Sequence, residues 1–360
     1  QRVKKMARSL QQLGYRVVLT GRHQGRENMF APLAHKTYRL RCFFHKGPLF
    51  YAGFNIRLFF LLLILRYDLL VANDLDSLAA AHLASRIRRK PLVYDTHEYF
   101  TGAPEIEKRP LVRFIWRALE KWLFPRQQTI ITVNDSIARL YEKEFGKKLY
   151  VIRNVPQYRE PAGLPTRSEL ALPEDRRILL LQGTGINTDR GGEELIQAMR
   201  PEYGLKDVLL LIIGSGNVLP LLKKKVSGHS LQDRIWFIDP MPYEKLFAYT
   251  AAVDLGLSLD KGDSLNYLYS LPNKLFDYVM AGTPVLVSDL PEVARIVNQY
   301  QLGRICPAHE PARIARCIND MLSDQSAMRQ YRQNCLIAAK ELCWERESEK
   351  LKEIYSGWSV

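Results

Sequence analysis

Short apolar runs alternate with helical patterns along almost the whole chain, and this alternation restricts the fold more than any other feature. In the first half the runs are Arg16–Thr20, Leu69–Ala72, Leu92–Asp95, Thr129–Val133 and Leu149–Ile152. In the second they are Ile178–Gln182, Val208–Ile213, Ile235–Ile238, Leu255–Leu259, Val285–Ser288 and Gly303–Cys306. Helical stretches such as Leu75–Arg88 and Pro110–Phe124 separate them. An unbroken apolar strand is buried on both faces, and a strand–helix alternation supplies the helices that bury it. The expected class is α/β, with two doubly wound Rossmann-like domains facing a cleft. A length of 360 residues also favours two cores over one.

The Pro-rich stretch Pro156–Asp175 reads as a linker. It divides the chain into an N-terminal domain over 1–155 and a C-terminal domain over 176–340. Residues 341–360 are expected to form a helix packing back toward the N-terminal domain. The opening "QRVKKMARSLQQLGY" is already helical and ends at Gly14. A first strand of about five or six residues is therefore expected upstream of Gln1.

Charge is distributed unevenly. Residues 1–163 hold 29 Lys+Arg against 13 Asp+Glu, a net +16, and the remainder holds 23 against 25, a net −2, which together give the +14 of the chain. A field of this kind calls for an anionic partner. In "EKRPLVRFIWRALEKWLFPR" the residues Arg109, Arg113, Arg117 and Lys121 recur at four-residue steps and form a basic stripe on a helix. Leu111, Phe114, Ile115, Ala118, Leu119 and Trp122 form its apolar side, expected to be the core-facing one, with Trp116 beside the stripe. "RIRRK" at Arg86–Lys90 and "HKGPLFYAGF" at His45–Phe54 add charge and aromatics. The pattern points to peripheral attachment at the cytoplasmic leaflet of a membrane. No nucleic-acid motif or stacking platform accompanies it, so nucleic acid is not expected as a partner. The longest uncharged apolar run, Leu58 to Leu65, is too short to span a bilayer. The five cysteines form no CxxC pair and read as free thiols.

Three phosphate-friendly features fall at carboxyl ends of strands in the second half. "LLLQGTGINTDRGGEEL" places Gly183 and Gly185 after a strand and Arg190 at the start of the next helix. "LLLIIGSGN" places Gly214 and Gly216 likewise. In "YSLPNKLFDYVMAGTPVLVSDLPE" a helix opens near Pro272, with Asn273, Lys274 and Asp277 near its start. Glycine lets backbone approach a phosphate, and a helix N-terminus supplies donors and positive potential. A diphosphate could use the N–H groups of residues 272–274 with Arg190 or Lys274. Asp277 would repel phosphate, so it suits a ribose hydroxyl pair. The competing reading is a solvated Lys274–Asp277 ion pair. Neither glycine cluster is a full dinucleotide fingerprint, which argues against a nicotinamide enzyme.

With these residues in place the chain resembles the GT-B glycosyltransferases of family four. "SLPNKLFDYVMAGTPVLVSDLPE" is similar to their donor-binding segment, "GTGINTDRGGEELIQAM" to their phosphate loop and "YDTHEYF" to their N-domain histidine segment. "VANDLDSLAAA" and "LYVIRNVP" fit the same order, so the resemblance covers essentially the whole chain. It implies retaining transfer of a sugar from a UDP- or GDP-linked donor, without a further cofactor, to a glycan or lipid-linked acceptor in envelope polysaccharide or glycolipid synthesis. The second carboxylate of the family's Glu-x7-Glu motif falls on Asp277 and the first on Tyr269, which is no acid. The family's basic phosphate pair is matched clearly only at Arg190, with Lys274 as a substitute. The resemblance places His97 near the donor sugar and the acceptor, as a catalytic residue alongside Arg190. A same-face mechanism, in which the leaving phosphate takes the acceptor proton, needs no protein base. "DLD" at Asp74–Asp76 leads from a strand into a helix, so Asp74 reads as an N-cap and not as half of a metal site. The alternatives are a catalytically silent partner subunit, since Tyr269 replaces an acid, and a sugar-nucleotide epimerase of the same fold.

Overall fold

A computed structural model of the protein describes residues 2–23 and 36–358. Gln1, where the expected upstream strand would join, lies outside these residues. The chain forms two compact units, Gln1–Arg153 together with Glu347–Val360, and Asn154–Arg346.

In the first unit, β1 (Val18–Arg22) and β2 (Lys36–Leu40) form a parallel pair. A separate sheet has the order β3-β4-β5-β6, from β3 (Leu70–Asn73), β4 (Leu92–Asp95), β5 (Thr129–Thr132) and β6 (Tyr150–Val151), every neighbour parallel. All four residues of β4 are buried, as an inner strand covered on both faces should be. Sequence patterning misses β2, "KTYRL", because exposed Lys36, Thr37 and Arg39 interrupt its apolar positions. At the C-terminal end, Glu347 accepts from the Arg153 backbone N–H and guanidinium at 2.9 and 2.7 Å, and the Tyr15 hydroxyl donates to the Tyr355 carbonyl at 2.8 Å.

In the second unit six parallel strands lie in the order β12-β11-β10-β7-β8-β9. They are β7 (Arg177–Gly183), β8 (Val208–Gly214), β9 (Ile235–Ile238), β10 (Leu255–Ser258), β11 (Val285–Ser288) and β12 (Gly303–Cys306). β8 is buried at all seven positions. The chain starts this sheet at β7, builds outward through β8 and β9, then returns to β10 on the other side of β7. The order therefore reverses between β7 and β10, and ligands of open α/β sheets bind beyond the strand ends at such a reversal. Residues 156–175 contain no helix or strand, and Arg167 fastens them to this unit through the Ala252 carbonyl and Asp254 at 2.8 and 2.7 Å.

The helix Pro110–Leu123 faces the opposite way from its apolar count. Trp116, Glu120 and Leu123 are buried, whereas Leu111 and Phe114 are 73% and 72% exposed, with Ile115 and Trp122 also exposed. A polar network turns it. The Glu120 carboxylate accepts from Thr101 at 2.9 Å and Tyr141 at 3.2 Å, and Arg117 bridges Glu144 at 2.8 Å. Trp116 packs edge-on against Tyr51 and Phe100, with ring centroids 5.1 and 4.9 Å apart. Arg117 consequently leaves the proposed free basic stripe, while Arg109, Arg113 and Lys121 remain exposed.

Candidate active site

At the reversal in the second unit, the loops after β7, β8 and β10 and the helix Asn273–Met280 converge. Gly183 and Gly214 are register partners in β7 and β8, and the turns beyond them are tied by Ser215 N–H to the Gly183 carbonyl and Ile186 N–H to the Ser215 carbonyl, both 3.0 Å. A Cβ on Gly214 would lie 1.8 Å from the Gly183 carbonyl oxygen, so no side chain fits there. The same contact problem arises at Gly216 against Ile186. Gly185 lies in the same turn, but a Cβ there would meet only the Asn187 amide, at 4.0 Å.

Arg190 and Lys274 meet on one carboxylate, Asp260, two residues past β10. Lys274 Nζ lies 3.2 and 3.1 Å from its two oxygens, and Arg190 Nη1 lies 3.3 Å from Oδ1. The Arg190 guanidinium stacks on Tyr267 at 4.2 Å, and its buried Nε has no hydrogen-bond partner. Burial pushes the Asp260 carboxyl up, but the charges of Lys274 and Arg190 outweigh it and hold the group below the usual carboxylate range. For Lys274 the balance is reversed. Burial, together with the charge of Arg190, lowers its pKa further than Asp260 raises it. The solvated Lys274–Asp277 pair is thereby overturned, because Lys274 turns inward to Asp260, while Asp277 Oδ1 accepts from the Tyr243 hydroxyl at 3.0 Å. Pro272 stands at the cap position of the helix without a side-chain cap, and the Asn273 amide oxygen accepts from Asn154 at 2.9 Å. Tyr269, half-buried, ends the short helix Leu265–Leu268.

Sequence reasoning passed over Asp260. Its signal was available, as an acid just past a strand end on the ligand-binding rim.

His97 belongs to the first unit, after β4. Its Nδ1 lies 3.1 Å from Asp74 Oδ2, its Nε2 3.4 Å from Asp95 Oδ2, and its backbone N–H donates to Asp74 Oδ1 at 2.8 Å. Asp95 is fully buried and paired with Arg2 at 2.8 Å, and Arg2 also donates to the Ile152 carbonyl at 2.6 Å. Burial lowers the imidazole pKa, but the neighbouring carboxylates of Asp74 and Asp95 more than offset it and raise it to about 9. His97 is thus an imidazolium at neutral pH, a donor and a positive charge rather than a base. The N-cap role expected of Asp74 is corrected here. It occupies the cap position, but its side chain makes no cap bond and serves His97 instead. Asp76, beside it, is raised to about 6 by burial and by the charge of Asp74.

Residues 1–155 match the family Glycosyltransferase Family 4, and residues 165–340 match Glycosyl transferases group 1. The chain belongs to glycosyltransferase family 4. An uncharacterized glycosyltransferase of Methanocaldococcus jannaschii is 23% identical over 327 residues, which cover 84% of this chain and 79% of that protein. The structure superposes on sucrose-phosphate synthase from Thermosynechococcus elongatus with a TM-score of 0.78 at 18% identity, covering 99% of this chain and 92% of that one. It superposes on the Anabaena protein HepE in complex with UDP-glucose with a TM-score of 0.72 at 16% identity, covering 94% and 99%. The fold is GT-B. As a family 4 glycosyltransferase the protein transfers a sugar from a nucleotide-sugar donor, with retention and without a metal.

Proposed function

We propose that the second unit holds a UDP- or GDP-linked sugar and that the sugar passes to a glycan or lipid-linked acceptor at a cytoplasmic membrane face, in envelope polysaccharide or glycolipid synthesis. The observation that carries the donor half is the convergence of Arg190, Lys274 and the glycine turns at the strand-order reversal. Diphosphate oxygens would take charge from Arg190 and Lys274 and backbone donors from the start of the helix Asn273–Met280. Gly183 and Gly185 would border the phosphates, while Gly214 and Gly216 let the two turns of the site pack closely. Asp277 would take the ribose hydroxyls, and Pro272, Asn273 and Tyr269 would line the approach. Transition-state stabilisation then lies in charge on the departing diphosphate. The leaving phosphate takes the acceptor proton, so no protein base is required, and the His97 imidazolium of the first unit is left a hydrogen-bond donor rather than a base.

The acceptor half rests on the exposed face of the first unit. Phe114 and Trp122 stand in solvent at 72% and 42% on the helix Pro110–Leu123, which also carries exposed Arg113 and Lys121, and Phe60 and Ile64 are exposed on the helix Pro48–Ile64. Apolar groups among cations suit an anionic lipid surface. No helix among the described residues is long and apolar enough to cross a membrane. Thermal shift against UDP-, GDP-, ADP- and dTDP-sugars tests the donor reading. A true ligand at a hundred times its Kd adds about 2.7 kcal/mol. No shift with any of them would overturn the reading.

A further inference from the structure

We infer that Asp260 is a positioning residue that gathers Arg190 and Lys274 into one cationic pair before the donor arrives, and that the diphosphate then becomes their shared counter-ion. The inference rests on the donor reading above and adds to it a group with the wrong sign to touch phosphate.

The geometry is set by backbone. A Cβ on Gly191, whose φ is +74°, would fall 2.2 Å from the Leu259 carbonyl oxygen, so the loop bearing Arg190 lies directly on the strand end bearing Asp260. Lys261 N–H donates to the Asp189 carbonyl at 2.8 Å and ties the same two loops again. Asp260 is 1% exposed, and the Ser258 hydroxyl donates to its Oδ2 at 3.2 Å. The Lys274 side chain is 12% exposed. An unpaired ammonium so deeply placed would shed its proton rather than stay charged. The charged groups acting on Lys274 are Asp260, which favours its protonated form, and Arg190, which opposes it. The nearby Lys261 is engaged by Glu194 at 2.6 Å, with Asp189 and Asp263 beside it. Asp277, on the same helix, accepts from Tyr243. One carboxylate facing two cations leaves a net positive charge, and the buried Arg190 Nε lacks an acceptor. An incoming diphosphate supplies both.

The test is calorimetric titration of the full chain with UDP or GDP, whichever the thermal-shift panel selects, between about pH 6.5 and 8.5. Comparing variant with wild type at each pH cancels the ionisation of the nucleotide. Asp260→Asn should bind more weakly than wild type by a ratio that widens with pH, approaching about tenfold per pH unit, because Lys274 must regain a proton to bind. Asp260→Asn combined with Lys274→Met removes both halves of the buried pair and should bind weakly by a constant ratio. A constant ratio for folded Asp260→Asn alone would overturn the inference. Binding heats in two buffers give a second check: near pH 8.5 wild type should take up fewer protons than Asp260→Asn, and equal uptake would overturn the inference. No nucleotide binding by wild type would overturn the donor reading and this inference with it.

Discussion

The two units each place cationic side chains against buried carboxylate at the end of a parallel sheet, but in different proportion. In the first, Asp74 and Asp95 share His97, with Arg2 behind Asp95, so the charges of these four groups cancel. In the second, Arg190 and Lys274 share Asp260, leaving an excess positive charge. The difference appears in which effect wins. Two carboxylates overcome the burial of His97 and lift it to about 9, whereas one carboxylate does not overcome the burial of Lys274 and the charge of Arg190 combined. A balanced cluster keeps its own group charged without a ligand, and an unbalanced one lacks an anion. This asymmetry is a physical reason to seat the diphosphate in the second unit and to give His97 a donor's part.

Breaking the unbalanced side should have the largest effect. Arg190→Ala removes one cation of the diphosphate site and should lower kcat/KM by about 3 kcal/mol of transition-state stabilisation, as loss of one oxyanion donor does. Steady-state transfer or donor-hydrolysis assays would show it, and near-normal turnover would sink the assignment. Asp277→Asn should weaken nucleotide and nucleoside alike, by about 1–2 kcal/mol for a lost charged hydrogen bond. A variant sensitive only to the sugar moiety would remove the ribose role.

The balanced side is sharpened by pH. A raised histidine pKa contributes stability that is full below the unfolded value of about 6.5 and is lost as pH rises through about 9. Asp74→Asn leaves Asp95 as the one carboxylate in contact with the ring among the described residues. The upper limb of the pH–rate profile should then move toward neutrality, and stability near pH 6 should fall by about 1.5 kcal/mol, as judged by urea unfolding. An unmoved upper limb would show that His97 protonation is not set by Asp74.

The sheets were legible because a strand buried on both faces leaves a continuous apolar run, as "VLLLIIG" does in β8. The glycine turns and Arg190 were legible because phosphate sites use short local patterns. Three features were not. β2 is half exposed and lacks the apolar run. Asp74 carried a local cap signal, and only its register beside β4 brings it to His97. The helix Pro110–Leu123 was read by hydrophobic count, yet its orientation is decided by partners distant in sequence. Tyr99 accepts from Arg117 at 3.0 Å, and Tyr141 and Glu144 lie beyond the next strand. No periodicity shows that a Glu will be buried while a Phe is not.

That inversion yields the smallest stability effect and a separate readout. Replacing a solvent-facing aromatic removes little from the fold, so Phe114→Ser with Trp122→Ser should change unfolding free energy by only about 0.5 kcal/mol. The same pair should release the protein from vesicles containing anionic lipid, since the apolar groups supply insertion. Arg113→Gln with Lys121→Gln should weaken sedimentation by about 1 kcal/mol per charge, and the loss should shrink as salt rises. Arg117 does not belong in this test, because its ion pair with Glu144 would make any loss ambiguous. Equal recovery in the supernatant with neutral and anionic vesicles at low salt would assign the exposed face to something other than a membrane. If the aromatic pair alone abolished binding while the charge pair did nothing, insertion rather than attraction would hold the protein there, and its basic excess would be left to the acceptor.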